Sequence, residues 1–258
     1  MRVTSLSFKQ RVISLQPMKK LLLLLLPLII VRACLSQETN NAAKNPAIIP
    51  ATRSTPTNWL SRHEGFVKEA KAGGIDLLFM GDSITDNWRS SRGKAVWEKY
   101  YGNRHAANFG IGGDRTQHVL WRIENGELEG IDPKVIVLMI GTNNSGSESG
   151  DQIAEGVEMI VSETRAKCPK SKILLLAILP RNRASDKPEQ MERIHQANER
   201  IAKLNDGKML TFLDINHVFL GADGKVPADI MPDFLHPNEH GYQLWADAME
   251  PTLDKMLK

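Results

Sequence analysis

Cysteine is scarce in this sequence, which contains only Cys34 and Cys168 among its 258 residues. Cys34 falls in an N-terminal leader that we expect to be removed after Ser36, and one remaining cysteine cannot form an intramolecular disulfide. The exported domain must therefore be stabilised by its core. Cys168 lies near the end of a predicted helix, just before Pro169, and is interpreted as a structural residue rather than a nucleophile.

An excess of charge of one sign is also missing once the N-terminus is set aside. Residues 1–36 contain six basic and no acidic residues, whereas the rest of the chain has 27 Lys and Arg against 30 Asp and Glu, a net charge of −3. Nucleic acids and anionic membrane surfaces select for the opposite sign. We therefore expect neither as a partner.

No apolar run is long enough to cross a bilayer as a helix, which takes about 20 residues. The longest is the 11-residue segment from Leu21 to Val31, which follows Lys19-Lys20 and precedes small or mildly apolar residues up to Ser36. This pattern is typical of a secretory signal peptide and predicts a secreted or periplasmic protein with no membrane insertion after cleavage.

The leader leaves three points open. It could begin at Met1 or at Met18, since Met18 starts a leader of more usual length. The apolar run could instead be a buried helix. A lipid anchor on Cys34 is a third alternative, although Arg32 fits that interpretation poorly.

The remaining chain divides into a predicted flexible linker at 37–57 and a domain at 58–258. The linker is rich in Asn, Ala, Thr and Pro and shows no periodicity. The domain starts with an amphipathic helix that ends at Gly73-Gly74 and then alternates short apolar runs with helical segments. The predicted strands are Ile75–Met80, Ala106–Phe109, Val135–Ile140, Ile173–Leu179 and Met209–Leu213; the predicted helices are Asn58–Ala72, Ile84–Tyr100, Thr116–Glu124, Gln152–Ala166, Pro188–Leu204 and Asn238–Leu257. This alternation predicts an α/β fold with a parallel sheet covered by helices on both faces.

Polar residues follow the ends of several predicted strands, where an open parallel sheet binds its ligand. These segments are Gly81-Asp82-Ser83, Gly110-Ile111-Gly112-Gly113-Asp114 and Gly141-Thr142-Asn143-Asn144, with Asp233-Phe234-Leu235-His236 before the last helix. Their side chains or amides could face one crevice.

Ser83 is the candidate nucleophile of that crevice. A serine hydroxyl needs a base within hydrogen-bond reach, which His236 could supply. Asp233 lies three residues earlier and could orient the imidazole. The predicted helix N-terminus at Ser83 would favour developing negative charge. The alternative is that Gly-Asp-Ser is only a strand-to-helix turn with an N-cap.

An oxyanion needs hydrogen-bond donors, and two segments could provide them. The glycine-rich turn at 110–113 can expose a backbone N–H, and Asn143 can offer a side-chain amide. The turn could instead be a simple tight turn or a phosphate loop, although it lacks the Lys-Ser/Thr ending and the dinucleotide spacing. Asn143 could merely bond its own loop.

The histidines other than His236 carry no predicted chemistry. His236 and His240 have a spacing that binds metals on helices, but Pro237 disturbs the backbone between them, so no metal site is predicted. His118 and Trp121 have helix spacing, which favours packing over substrate contact.

Four of these blocks resemble the SGNH, or GDSL, hydrolase superfamily: Gly81-Asp82-Ser83, Gly113, Gly141-Thr142-Asn143 and Asp233-Phe234-Leu235-His236. Longer stretches look like the catalytic subunits of intracellular platelet-activating-factor acetylhydrolases, namely Asn108 to Asp114, His118 to Arg122, Glu124 to Glu129 and Pro133 to Val137. The similarity extends over roughly Trp59 to Leu257, so the domain at 58–258 is interpreted as a hydrolase of this superfamily.

The resemblance implies a role for each site residue. Ser83 would be the nucleophile, His236 the base and Asp233 its orienting partner. The oxyanion hole would comprise the backbone N–H groups of Ser83 and Gly113 and the side chain of Asn143. No metal and no organic cofactor is implied.

The resemblance also implies a fold and an acyl pocket. The fold would be a flavodoxin-like, three-layer sandwich around a five-stranded parallel sheet. In the related subunits, bulky residues beside the catalytic ones restrict the acyl group. The matching positions are Ile84, Thr142 and Leu235, which predicts a short substrate-binding pocket that favours acetyl.

The sequence departs from the related subunits in its export signal, since they are cytosolic, and in showing nothing that reads a phospholipid headgroup. Asn143-Asn144-Ser145 is a glycosylation sequon, and a glycan on Asn143 would block the oxyanion hole. This favours a bacterial exported protein, although a buried sequon would also escape modification.

These observations favour a secreted serine esterase that hydrolyses short acyl esters, above all acetyl, on a carbohydrate or small ester through an acyl-serine. A phospholipid acetylhydrolase acting on PAF-like lipids, a lysophospholipase and a thioesterase remain enzymatic alternatives. A non-catalytic carbohydrate-binding domain would lack a triad member or an oxyanion donor, and none is missing. A homodimer is a further expectation from the resemblance.

Overall fold

Five short strands form one parallel sheet in the computed structural model, which describes residues 44–53, 55 and 58–258. They are β1 (Leu77–Gly81), β2 (Ala106–Gly110), β3 (Val135–Met139), β4 (Lys172–Leu176) and β5 (Leu210–Leu213). Their order across the sheet is β2-β1-β3-β4-β5. Each strand coincides with a predicted apolar run, so the predicted five-stranded parallel sheet is confirmed. The predicted signal peptide at 1–36 lies outside the described residues.

Seven α-helices connect or flank these strands in the described residues. They are α1 (Trp59–Ala72), α2 (Ser83–Asp86), α3 (Lys94–Tyr101), α4 (Thr116–Glu124), α5 (Gly150–Lys167), α6 (Glu189–Ile201) and α7 (Glu239–Leu257). None of the helices in the described part of the chain is long and apolar enough to cross a membrane.

One predicted helix is wrong. The sequence pattern indicates a single helix from Ile84 to Tyr100, but the structure divides this stretch into α2, a 3₁₀ helix at Asn87–Arg89 and α3. The chain folds back tightly at Gly93, where an added Cβ would lie 2.7 Å from the Cα of Trp88. The apolar residues on both sides of the break pack in the same core, which explains why the sequence pattern predicted a single helix.

The sheet separates two apolar layers because successive residues of a strand face opposite sides. Leu78 and Met80 of β1 pack with α1, α4, α5 and α6 on one face. Leu77 and Phe79 pack with α3 and α7 on the other, where Trp88 and Trp245 are fully buried. The predicted three-layer sandwich, with helices on both faces, is confirmed.

The strand register places the site. In β1, Gly81 pairs with Gly110 of β2 and with Met139 of β3, so the three strands end at the same level. The chain moves from β1 outward to β2 and then returns to the other side of β1 for β3. A crevice opens beyond the strand ends where the direction reverses in this way, and ligands bind there.

The predicted flexible linker at 37–57 is corrected for the part that the structure describes. Residues 45–53, here called the N-terminal strap, contain a 3₁₀ helix at Pro46–Ile48 and lie against α4 and α5. Asn45 Nδ2 donates to the Gln152 carbonyl at 2.9 Å, and the Ala51 amide donates to the Gln117 carbonyl at 3.1 Å. Contacts with residues distant in sequence hold the strap, so it needs no periodicity of its own.

The strap packs closely enough to require a glycine inside a helix. An added Cβ on Gly156 of α5 would lie 2.6 Å from Thr116 Oγ1 and 2.9 Å from the Ala47 carbonyl oxygen of the strap. The Thr116 hydroxyl itself donates to that carbonyl at 2.8 Å. At Gly156, α5 packs so closely against α4 and the strap that no side chain larger than a hydrogen atom fits.

Asp82, between β1 and α2, is a buried carboxyl. It is 1% exposed, and its Oδ1 accepts a hydrogen bond from the Ile84 amide at 3.0 Å. Burial raises the pKa of Asp82 to about 7; the Ile84 hydrogen bond opposes this shift, and the negative charge of Asp114 adds to it.

Gly156→Ala is expected to lower the free energy of unfolding by about 1–3 kcal/mol, because overpacking outweighs the gain in helix propensity. Gly65→Ala is the matched control: Gly65 lies inside α1 with no atom within 4 Å of its added Cβ. It is expected to raise the unfolding free energy by about 0.5–1 kcal/mol. Urea denaturation measures both, and equal effects of the two variants would contradict the tight packing of the strap.

Asp82→Asn is expected to remove a pH-dependent loss of stability. Since the folded pKa lies above the ordinary value of 3.8, the native state binds the extra proton, and the unfolding free energy falls as pH rises from about 4 to about 7. The loss is on the order of a few kcal/mol, at about 1.4 kcal/mol per pKa unit. Urea denaturation at pH 5 and pH 8 should show a smaller difference in the variant than in the wild type, and an unchanged difference would refute this assignment.

Candidate active site

Three side chains form a continuous relay beyond the end of β1. Ser83 Oγ lies 2.9 Å from His236 Nε2, and His236 Nδ1 lies 2.6 Å from Asp233 Oδ2. With the proton on Nδ1, the histidine donates to the carboxylate and accepts from the serine hydroxyl through Nε2. The structure thus brings the predicted nucleophile, base and orienting acid within hydrogen-bond reach of one another.

Asp233 is held in its ionised form. Partial burial by itself would raise the pKa of this carboxyl, but hydrogen bonds from the His236 ring and backbone amide, together with the charges of His236 and Arg92, lower it to about 2. Asp233 Oδ1 accepts the backbone bond at 2.8 Å while Oδ2 accepts from the ring. A permanent carboxylate at this point fixes the tautomer and the orientation of the imidazole.

The loop that carries Asp233 and His236 is anchored at several points. Phe234 adopts a positive φ of 55°, and its carbonyl accepts a hydrogen bond from the Asn182 amide at 2.9 Å. Arg92 Nη1 donates to the His236 carbonyl at 3.2 Å. These contacts tie the base to both flanking loops and keep it facing Ser83.

Ser83 is the first residue of α2, and its position follows from the turn after β1. Asp82 caps that helix, and the buried hydroxyl of Tyr242 donates to the Ile84 carbonyl at 2.6 Å. At Gly81, an added Cβ would overlap the Thr85 side chain and the Met139 carbonyl. The serine is therefore presented by a tightly packed strand-to-helix turn.

The glycine-rich turn lies beside the nucleophile. The Asp114 amide donates to the Ile111 carbonyl at 3.1 Å, and Gly113 has a φ of 79°, as in a type II turn. An added Cβ on Gly112 would lie 3.7 Å from Ser83 Cβ. The turn is therefore close enough to present a backbone N–H to a group bound at Ser83.

Asn143 reaches the same turn from the end of β3. Its Nδ2 donates one hydrogen bond to the Asp114 carbonyl at 2.8 Å, which leaves the second N–H of that amide to donate elsewhere. This bond goes to a different loop, not to the Asn143 loop itself, contrary to the alternative raised from the sequence. The neighbouring Asn144 is fully buried and accepts from the Thr116 amide at 3.0 Å.

A buried charge network, which the sequence did not reveal, contacts the glycine turn through Asp114. Asp114 Oδ1 accepts from Trp59 Nε1 at 2.7 Å, and Arg122 Nε lies 3.1 Å from Asp114 Oδ2 in an ion pair whose N–H is not aimed at the oxygen. Arg122 also donates to Glu127 at 2.7 Å, and Glu127 lies 3.2 Å from His63 Nδ1. The only available signal was that acidic residues on either side of α4, Asp114 and Glu127, flank the basic Arg122 of that helix.

The contacts of two arginines with Asp86 could not be predicted from the sequence either. Arg62 and Arg89 both donate to the Asp86 carboxylate, at distances of 2.7–2.8 Å, and Asp86 Oδ2 accepts the Gly112 amide at 3.0 Å. Asp86 therefore fixes the Gly112 amide at the start of the glycine turn. No periodic or motif signal marks these contacts, which join α1, α2 and the 3₁₀ helix.

The remaining candidates have structural surroundings. Burial, followed by the positive charges of Arg53 and two other arginines, lowers the pKa of His118 to about 4, and its Nδ1 accepts from the Arg115 amide at 2.9 Å. Cys168 is buried, and burial raises the pKa of its thiol to about 11. Among the described residues, no three His, Cys, Asp or Glu side chains are grouped so as to hold a metal ion.

Comparison with known proteins identifies the family of this chain. The model of the GDSL-like lipase/acylhydrolase family matches residues 79–244. Platelet-activating factor acetylhydrolase IB subunit alpha2 of Rattus norvegicus is 38% identical over 203 residues, covering 77% of this chain and 86% of that protein. Subunit alpha1 of Homo sapiens is 35% identical over 216 residues, covering 81% of this chain and 91% of that protein.

Solved structures show the same fold at lower sequence identity. A GDSL-like lipase from Bacteroides thetaiotaomicron superposes with a TM-score of 0.59 at 20% identity, covering 77% of this chain and 97% of that one. An acetyl xylan esterase from Geobacillus stearothermophilus gives a TM-score of 0.55 at 20% identity, covering 71% and 95%. The resemblance found in the sequence is confirmed: the chain belongs to the GDSL-like lipase/acylhydrolase family and is a carboxylic-ester hydrolase.

Proposed function

We propose that this chain is an exported serine esterase that hydrolyses short acyl esters, with acetyl preferred, through an acyl-serine intermediate. The observation that carries the proposal is the relay from Ser83 through His236 to Asp233 beside the glycine turn. The relay supplies a nucleophile and its base, and the turn supplies a candidate oxyanion donor. An acyl transfer needs these two components.

The reaction follows from the relay. Ser83 Oγ attacks the ester carbonyl while His236 Nε2 takes the hydroxyl proton, and the Asp233 carboxylate stabilises the imidazolium. The tetrahedral oxyanion accepts hydrogen bonds from the backbone N–H groups of Ser83 and Gly113 and from Asn143 Nδ2. Collapse expels the alcohol, which takes its proton from His236. Water then attacks the acyl-serine by the same route and releases the acid.

The acyl preference rests on the residues that flank the catalytic ones. Ile84 follows the nucleophile and Leu235 precedes the base, and both are buried, at 1% and 3% exposure. Thr142 is equally buried, and its carbonyl accepts a hydrogen bond from Arg181 Nη1 at 3.0 Å. The family resemblance implies that these three residues border the acyl site, which would then admit only a small acyl group.

The alcohol side is proposed to be a carbohydrate or a small ester. An exported enzyme, as expected from residues 1–36, would meet acetylated polymers outside the cytoplasm, and the named acetyl xylan esterase shares the fold. The named acetylhydrolase relatives support the alternative of a PAF-like phospholipid, with a lysophospholipid or thioester as further candidates. A carbohydrate-binding domain without activity is disfavoured, because the Ser83–His236–Asp233 relay is within hydrogen-bond distance throughout.

Ser83→Ala is expected to lower kcat on p-nitrophenyl acetate by at least about 10⁴-fold, since no other group replaces the nucleophile. Ser162→Ala, on the exposed face of α5, is the matched control with unchanged kcat. Wild-type kcat/KM should fall at least about tenfold from acetate to octanoate, which corresponds to about 1.4 kcal/mol. Retained activity in Ser83→Ala would refute the nucleophile assignment. Octanoate turnover equal to acetate turnover would refute the prediction of a short acyl pocket.

Acetate release from acetylated xylan, compared with turnover of a PAF-like lipid, a lysophospholipid and an acetyl thioester, separates the candidate substrates. Faster turnover of the lipid than of the polysaccharide would favour the phospholipid alternative. Binding of xylan without release of acetate would favour the binding domain.

The exported protein is expected to begin at Gln37, directly after the proposed cleavage at Ser36. N-terminal sequencing of protein secreted by a bacterial host, together with its intact mass, checks this. Uncleaved protein in the cytoplasm, or a lipid-modified Cys34, would contradict it.

Light scattering of the same material tests the homodimer expected from the resemblance.

A further inference from the structure

The guanidinium of Arg53, in the N-terminal strap, lies directly on the glycine turn. Its Nη1 donates to the Gly112 carbonyl at 2.6 Å and to Asp114 Oδ1 at 3.1 Å. Its Nη2 lies 2.8 Å from the position that a Cβ on Gly113 would occupy. The side chain is only 18% exposed, so the contact is largely shielded from water.

The carbonyl that Arg53 holds belongs to the same peptide unit as the Gly113 N–H. A trans peptide is planar, so its C=O and its N–H point in opposite directions. A donor that fixes the Gly112 oxygen on one side therefore fixes the Gly113 N–H toward the other. The orientation of the proposed oxyanion donor is set through its own peptide bond.

The turn needs such a constraint because its sequence does not select an orientation. Type I and type II turns differ mainly by rotation of the central peptide, and the third residue changes from φ of about −90° to about +80°. Glycine populates both regions readily, and both central residues here are glycines. Gly113 has a φ of 79°, so the structure holds the type II form.

The other contacts of the turn fix its flanking peptides. The Gly112 amide donates to Asp86, the Asp114 amide to the Ile111 carbonyl, and the Asp114 carbonyl accepts from Asn143. The central peptide is held by Arg53. A charged donor also polarises that peptide, which strengthens its N–H as a donor.

We propose that Arg53 is a positioning residue of this esterase, which holds the central peptide of the glycine turn so that the Gly113 N–H stays directed at the oxyanion. The inference rests on the proposed function. It makes the strap part of the catalytic unit, although the strap precedes the stretch at 79–244 that matches the family.

Arg53→Ala is expected to lower kcat on p-nitrophenyl acetate by about 10–100-fold, near or below the loss that removal of one oxyanion donor causes. KM should stay within about threefold, because the ground-state ester makes little use of the donor. Arg53→Lys keeps one charged donor and should recover part of kcat. Inhibition by trifluoroacetone, whose adduct with Ser83 carries an oxyanion, should weaken by a factor similar to the loss in kcat/KM.

Two controls separate catalysis from folding. Arg165→Ala removes a distant arginine that pairs with Asp206, and should leave kcat unchanged. Asn45→Ala loosens the other end of the strap without touching the turn, and thermal unfolding of each variant measures the stability lost. Equal losses of kcat in Asn45→Ala and Arg53→Ala would overturn the inference, because activity would then follow strap stability.

Full kcat in Arg53→Ala, or unchanged trifluoroacetone inhibition despite a loss of kcat, would also overturn it. Should Arg53→Ala fail to fold, Arg53→Met carries the same test, because it keeps most of the apolar stem and removes the donor to the Gly112 carbonyl. Weakened trifluoroacetone inhibition in that variant agrees with the inference, and full inhibitor affinity refutes it. Failure of the proposed function shows differently, as an active Ser83→Ala or an inactive wild type.

Discussion

The fully buried guanidinium of Arg122 is the contact on which the rest of the site depends. It donates to the Phe109 carbonyl at 2.7 Å near the end of β2, and its Nη2 lies 3.5 Å from the Gly81 carbonyl at the end of β1. The same group pairs with Asp114 and Glu127. Buried ion pairs add little net stability, but a broken pair leaves a costly lone charge. Arg122 therefore specifies how the nucleophile turn and the glycine turn lie relative to each other.

Much of this arrangement can be predicted from sequence, because strands buried on both faces are continuous apolar runs. The proposed nucleophile follows the first run directly, and the proposed base and acid lie three residues apart before the last helix. Ser83, Asp233 and His236 were placed in one crevice for that reason. The strap could not be predicted, since contacts with Gln117 and Gln152 across the fold hold it rather than any pattern of its own. The roles of Arg53 and Asp86 could not be predicted either, because their partners on the glycine turn are distant in sequence and include backbone groups.

Some residues of the site are positioned by the sheet and others by a loop. Ser83 and Asn143 are carried by the sheet, whose register is fixed by strand pairing on both sides. Asp233 and His236 share a loop, so their mutual geometry is local and survives small displacements of that loop. The critical distance is the one between loop and sheet, and Arg92 and Asn182 are the contacts that set it.

The two halves of the relay are also far apart along the chain. Ser83 and His236 are 153 residues apart, and Arg53 and Gly112 are 59 apart. The relay therefore needs one sequence-distant pairing, and the glycine turn beside it needs another. Such non-local contacts form late compared with local ones. A chain in transit across a membrane in an extended state would hold a serine without its base. Hydrolytic competence therefore requires the folded chain, and the proposed exported enzyme would gain it only after crossing the membrane.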